Sequence, residues 1–168
     1  GSDFLAALCG QWEREALAAE KLGVRTALAR IGVVLGKEGG ALAKMLPPFK
    51  FGLGGRLGSG RQPFPWIHRD DAVGAFLFLI ENKISGPVNV AAPDLKTNAA
   101  FTKALGKALR RPALFPVPAF VLKLALGEMS SMLLQGQRAV PKKLLDAGYA
   151  FKYPNIDAAL TAILLGPK

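Results

Sequence analysis

VRTALARIGVVL, from Val24 to Leu35, is the stretch on which the reading of this chain turns. Its core is a continuous apolar run with β-branched residues, bounded by Gly23 and Gly36. Strands that bury both faces, as in parallel sheets covered by helices, read as such runs rather than as alternating patterns. A strand of this kind needs neighbours on either side. Upstream, Asp3 is the expected N-cap of a helix running to about Lys21, with Phe4, Leu5, Leu8, Trp12, Ala16 and Ala19 at the helical period and Gly23 as its stop. Cys9, on that apolar face, is expected to be a small buried side chain.

Downstream the composition changes. Glycines and prolines punctuate residues 36 to 65, which predicts a long shaped loop with a short helix over Ala41–Leu46, then glycine-rich turns and a hairpin. Met45, Leu46, Phe49, Phe51 and Phe64 argue that this loop is ordered, and long ordered loops are usually binding segments. Trp66-Ile67-His68 reads as a short strand. Asp70 or Asp71 is the expected cap of a helix through Glu81 that buries Val73, Phe76, Leu77 and Ile80. Pro87 to Ala91 is a further strand, Thr97 or Asn98 caps a helix to about Leu109, and Leu114-Phe115 is a candidate edge strand. Strands alternating with helices define an α/β layer fold. Ala119 to Leu134 is helical with a break near Gly127, Pro141 starts another helix that Gly148 ends, and Asn155 caps the last. The expected division is an α/β part over residues 1–118 and a small helical appendage over 119–168.

The bulk properties limit the function. With 168 residues, 51% hydrophobic, and a mean hydropathy of +0.26, the chain sits at the apolar edge of globular domains, so some apolar faces are expected to meet a partner segment. No apolar run approaches the roughly 18 to 20 residues that span a bilayer, and no leader-like segment opens the chain. A single cysteine, Cys9, cannot form an internal disulfide, so the expectation is a soluble protein of a reducing compartment, the cytoplasm. The net charge of +10 raises nucleic-acid binding, but the charges are dispersed. The densest set, Lys103, Lys107, Arg110 and Arg111, forms one solvated helix face with few aromatics near it, so nucleic acid is not the expected partner.

A nucleotide fold normally carries G-x-G-x-x-G between a strand and a helix, where bare backbone approaches a pyrophosphate. That motif and the triphosphate-binding Gly-Lys-Ser/Thr loop are both absent. Gly52 to Gly60, GLGGRLGSG, has the wrong spacing and Pro63 close behind. Its glycines read either as turn residues or as part of a phosphate contact made by Arg56 or Arg61. His68 is the only histidine, which excludes a two-histidine metal site, and no G-x-S-x-G elbow accompanies it. It reads as a hydrogen-bonding residue at a strand end, with Asp70 and Asp71 as a cap and a solvent-facing charge.

Three segments together resemble one family: Arg30-Ile31-Gly32-Val33-Val34-Leu35-Gly36, Gly52 to Arg61 leading into Trp66-Ile67-His68-Arg69-Asp70-Asp71, and Leu133 to Tyr153 with Gly136-Gln137-Arg138-Ala139-Val140-Pro141-Lys142 and Gly148-Tyr149-Ala150-Phe151. They resemble the epimerase-like branch of the extended short-chain dehydrogenases/reductases, also labelled nucleoside-diphosphate-sugar epimerase-like or cell-division-inhibitor-like, including its particular carboxy-terminal segment. The resemblance runs from about Asp3 to Leu165. It implies a partial Rossmann-type parallel sheet, with the early strands that carry the glycine fingerprint and bind NAD(P) preceding Gly1. It further implies that Arg30, Ile31, Gly32 and Val33 lie near the nicotinamide end of NADH or NADPH, and that residues 37 to 61 line a small-molecule pocket with Lys44, Arg56, Arg61 and His68. The implied partners are a small-molecule substrate, a nucleotide sugar among them, and the amino-terminal half of the same protein, with a homo-oligomer allowed. One departure stands out. The family's Tyr-x-x-x-Lys pair, counted back from Arg30, falls at about Leu8 and Trp12, which cannot exchange a proton or hold a ribose. A cofactor-binding regulator without turnover is the alternative that this departure favours.

Overall fold

The computed structural model of the chain describes residues 4–166, so the expected cap Asp3 lies outside the described residues. The stretch from Val24 to Leu35 forms two strands in line, β1 (Ala27–Ile31) and β2 (Val33–Leu35), that take different partners. β1 pairs in parallel with β5 (Gly86–Val90), Ala27 opposite Gly86 and Ile31 opposite Val90. β2 pairs in parallel with β4 (Trp66–His68). The exchange happens at Gly32. Its N–H donates to the Val90 carbonyl at 3.0 Å, the next N–H, of Val33, donates to Pro65 at 2.7 Å, and Ala92 closes the fork by donating to Trp66 at 2.7 Å. A Cβ at Gly32 would sit 2.9 Å from the Pro65 oxygen, so only a glycine lets the second partner strand come this close.

The expectation of burial on both faces is corrected: the run is buried on one face at most, because among the described residues the packing helices cover one side of β2. Leu35 is fully buried, whereas Arg30, Ile31 and Val34 are exposed. One core lies under β2 and β4, where Leu35 and Trp66 meet Leu42, Leu46 and Phe49 of α2 (Gly40–Lys50) and Phe101 and Leu105 of α4 (Asn98–Leu109). A second core joins Val88 and Val90 to α3 (Arg69–Glu81). α2 runs past the expected Leu46 through Pro47 and Pro48, because Leu42, Leu46 and Phe49 share one face and the buried Phe49 anchors the last turn.

Three expectations are corrected. α3 buries Asp71, Ala72, Ala75 and Leu79, while Val73, Phe76, Leu77 and Ile80 face outward. Its small stripe lies against the strands, and the bulkier stripe is left uncovered. The cap of α3 is neither aspartate but His68, whose Nδ1 accepts the Asp70 N–H at 3.0 Å. In place of a hairpin and an edge strand at Leu114-Phe115, β3 (Pro63–Phe64) pairs antiparallel with β6 (Lys96–Thr97), and Leu57 bridges Val117. α4 begins as expected at Thr97, whose Oγ1 accepts the Ala100 N–H.

The later helices are α5 (Ala119–Leu126), α6 (Ser130–Leu134), α7 (Lys142–Asp146) and α8 (Ile156–Leu165), with a 3-10 turn at Gly127–Met129 where the break was expected. Leu144 of α7 enters the second core, and Ile156, Ala159 and Leu160 of α8 enter the first. At the other end, α1 (Phe4–Leu17) continues as a 3-10 turn to Leu22 and stops at Gly23 in the left-handed conformation. α1 buries none of its residues, and Trp12 is 65% exposed. Cys9, expected to be buried, is exposed, because α1 is only partly covered by the other described residues. No helix among them is long and apolar enough to cross a membrane.

Candidate functional site

β1 and β5 run in the same direction, so their carboxyl ends, Ile31 and Val90, lie side by side where the sheet forks. In open parallel sheets, ligands bind in the crevice beyond such ends, where neighbouring strands part. Ile31 is 51% exposed there, whereas Gly32 abuts the Pro65 backbone and Val33 packs on the first core. Arg30 is already engaged. Its guanidinium donates from Nε and Nη2 to the two Glu13 carboxylate oxygens, both at 2.7 Å, and so ties α1 to the strand. This fork-to-fork contact holds the Glu13 carboxyl below its ordinary pKa and raises that of Arg30, the shared hydrogen bond being the main cause in each. Both groups are solvated, so the pair contributes orientation more than stability.

Beside the fork, a small cleft runs between residues 63–66, Ala92 with 94–96, and 137–139. Trp66 forms one side, with its indole N–H donating to the Asp94 carbonyl at 2.9 Å. The Asp94 carboxylate pairs with Lys96 at 2.9 Å and accepts the Ile156 N–H at 3.0 Å. Lys96 and Arg138 are the cations that border the cleft, and none of Lys44, Arg56, Arg61 and His68 does.

His68 belongs to a different cluster. Its ring lies 3.9 Å from that of Tyr153, and burial pushes its pKa below the ordinary histidine value against the opposing pull of Asp70 and Asp71. Asp71, expected as a cap or a solvent-facing charge, is 2% exposed. One carboxylate oxygen accepts the Lys152 N–H at 2.7 Å and the other the Tyr153 N–H at 2.9 Å, while the Asp71 carbonyl accepts the Tyr149 hydroxyl at 2.9 Å. Burial, with the Asp71 charge added to it, raises the Tyr149 pKa. This cluster fastens the segment before α8 to the start of α3. The sequence signal was the Asp70-Asp71 pair, but its partners lie about eighty residues on, beyond the reach of local spacing.

The remaining expected residues are separate. Lys44 and Arg61 are exposed, and Arg56 donates to the Ser59 carbonyl at 3.3 Å. Among the described residues, no hydrogen bond, ion pair or ring contact joins any of these three to His68. The glycines from 52 to 60 serve packing. A Cβ at Gly54 would strike the Phe49 ring at 2.5 Å, at Gly55 the Phe115 carbonyl at 1.8 Å, and at Gly60 the Ala99 Cβ at 2.9 Å. Gly52, Gly58 and Gly60 also take positive φ, so the reading of this stretch as turn glycines holds for those three. No group of His, Cys, Asp and Glu among the described residues is arranged to hold a metal ion.

Parallel strands flanked by helices, forked at a strand end with a cleft beside the fork, define the later part of a Rossmann-type α/β fold. A family model described as a domain of unknown function (DUF1731) matches residues 117–163. The mouse epimerase family protein SDR39U1 is 46% identical over 165 residues, covering 96% of this chain and 56% of the mouse protein. The human SDR39U1 (isoform 2), whose crystal structure was solved with NADPH, superposes with a TM-score of 0.82 at 42% identity, over 86% of this chain and 50% of that one. A nucleoside-diphosphate sugar epimerase from Corynebacterium glutamicum superposes with a TM-score of 0.73 at 34% identity, over 98% of this chain and 31% of that one. Over nearly its whole length the chain is similar to curated epimerase family proteins, in agreement with the resemblance to the epimerase-like branch of the extended short-chain dehydrogenases/reductases. It spans about half the length of the curated relatives it matches, consistent with a carboxy-terminal half.

Proposed function

We propose that this chain is the carboxy-terminal half of an NAD(P)-binding, epimerase- or oxidoreductase-like protein that acts on a small molecule, a nucleotide sugar being the favoured class. The observation that carries this reading is the fork at Gly32, which leaves the carboxyl ends of β1 and β5 beside a small cleft. The NADPH in the human relative's structure and the sugar-nucleotide name of the C. glutamicum relative give the chemical classes.

The described residues fit one side of such a cofactor. Ile31, exposed at the strand end, offers an apolar contact suited to a nicotinamide, with Gly32 and Val33 holding the strand in place behind it, while Arg30, held by Glu13, positions α1 and the strand. When bound, the cofactor supplies the hydride chemistry. The phosphate cradle belongs to the amino-terminal half. On the substrate side, Arg138 and Lys96 border the cleft, with Lys44, Arg61 and His68 further from it. Residues 119–168 form the family-specific segment of this architecture, a division supported by the family match over 117–163. The exposed thiol of Cys9 suits a reducing, cytoplasmic setting. The uncovered apolar faces of α1 and α3 fit the amino-terminal half, and any remainder fits a second copy.

A regulatory protein that binds cofactor without turnover is the second reading, favoured by Leu8 and Trp12 on α1, where a proton-exchanging pair would stand. Titration of the full-length protein with NADPH and NADH, followed by cofactor consumption over a panel of nucleotide sugars, separates the two. Binding with consumption supports the enzyme, and binding without it supports the regulator. Absence of binding contradicts both.

A further inference from the structure

A concavity of about 640 Å³ opens between α4 and residues 113–116, with Arg56 on its third side, apart from the cleft at the sheet fork. Four cations line it, Arg56, Lys103, Lys107 and Arg111, and no Asp or Glu does. Compensation is slight. Lys107 reaches Asp157 at 3.6 Å in a solvated pair, Arg56 makes one contact to a carbonyl, and Lys103 and Arg111 have no ion pair among the described residues. Like charges gathered on a concave wall repel each other unless an anion joins them.

A second observation points the same way. Thr102, 4% exposed, lines the cavity, and its hydroxyl oxygen is buried without a hydrogen-bond partner. A buried orphan hydroxyl is costly, and rotation about the Thr102 Cα–Cβ bond toward the cavity would let a ligand oxygen satisfy it. The backbone also delivers Arg111 to this place. Arg110 takes the left-handed conformation, φ 53°, that glycine usually holds at a helix end, and the Arg111 N–H then returns to the Gly106 carbonyl at 2.9 Å. Gly106 lets the wall close, since a Cβ there would meet both Ala113 Cβ and the Arg111 oxygen at 2.9 Å.

We propose that this cavity binds a small anion carrying two or more phosphate groups. Its volume suits a small-molecule ligand, and four cations exceed what one phosphate needs. No aromatic side chain lines it, so it lacks the stacking platform on which single-stranded nucleic acid is held, and recognition falls on the phosphates.

The test is calorimetric titration of the full-length protein with inorganic pyrophosphate and tripolyphosphate at about 150 mM salt, a concentration that screens diffuse surface charge. The wild type binds saturably. Lys103→Ala with Arg111→Ala weakens binding roughly tenfold or more, and Thr102→Val, which keeps the shape and every charge, weakens it about 3- to 10-fold. Lys21→Ala with Lys83→Ala removes the same charge elsewhere and leaves the affinity unchanged. Circular dichroism confirms that each variant is folded. Absence of saturable binding overturns the proposal, as does equal loss in the Lys21/Lys83 control. Tighter binding of a short DNA duplex through the same residues also overturns it, in favour of a nucleic-acid surface.

Discussion

Gly32 lies where one strand exchanges partners, and its lack of a side chain has a measurable consequence. Gly32→Ala would press a methyl group to 2.9 Å from the Pro65 oxygen, a backbone atom with none of the give of a flexible side chain. The expected loss is about 1 to 3 kcal/mol in urea unfolding, as for other overpacked sites. Asp71→Ala leaves the Lys152 and Tyr153 N–H groups without their charged acceptor and is expected to cost about 3 kcal/mol by the same measurement. His68 makes stability depend on pH. Its folded pKa lies below its unfolded one, so the unfolded chain binds the proton first as pH falls. Stability is full above about pH 6.5 and is lost as pH drops through the folded value. His68→Asn keeps an oxygen acceptor for the Asp70 N–H and is expected to reduce that acid slope by up to one proton. The chain's only histidine was legible in the sequence as a hydrogen-bonding residue at a strand end. The burial of Asp71 was not, because which of two adjacent carboxylates turns inward is decided by a segment far along the chain.

Elements whose signals are local matched their reading. Thr97 and Asn155 cap α4 and α8, Gly23 and Gly148 stop their helices, and Trp66-Ile67-His68 is a strand. α3 shows where local reading stops. It carries two apolar stripes at helical spacing, and the choice between them depends on how closely the strands approach, which periodicity does not encode. The uncovered stripe gives a test. Phe76→Ser with Ile80→Ser, at residues 40% and 70% exposed, should change the stability of residues 1–168 by less than about 1 kcal/mol, as for surface substitutions elsewhere. In the full-length protein the same pair should lower the thermal midpoint clearly, if the amino-terminal half covers α3. Equal small effects in both would mean that this face stays in water.

At the level of the whole chain, the apolar composition has a structural counterpart. Phe4, Trp12, Leu22, Ile31, Phe76, Leu77 and Ile80 all lie exposed on α1 and its 3-10 extension, β1 or α3. The sequence predicted a strand in need of neighbours, and the structure supplies one neighbour for β1 among the described residues. The fork escaped the sequence reading because Gly32 resembles any glycine in an apolar run until Pro65 is placed beside it. The phosphate cradle could not be read from residues that do not carry it, and the glycines from 52 to 60 proved to be turn residues and packing contacts, as one of their two readings had it in part. The central claim is that the end of β1 rests against a dinucleotide held by the other half. Amide hydrogen exchange of the full-length protein, with and without NADPH, tests it most directly. The account predicts slower exchange in peptides covering residues 30–33 and in α1 when NADPH is added. NADPH binding that leaves those peptides unchanged, with protection appearing elsewhere, would contradict it.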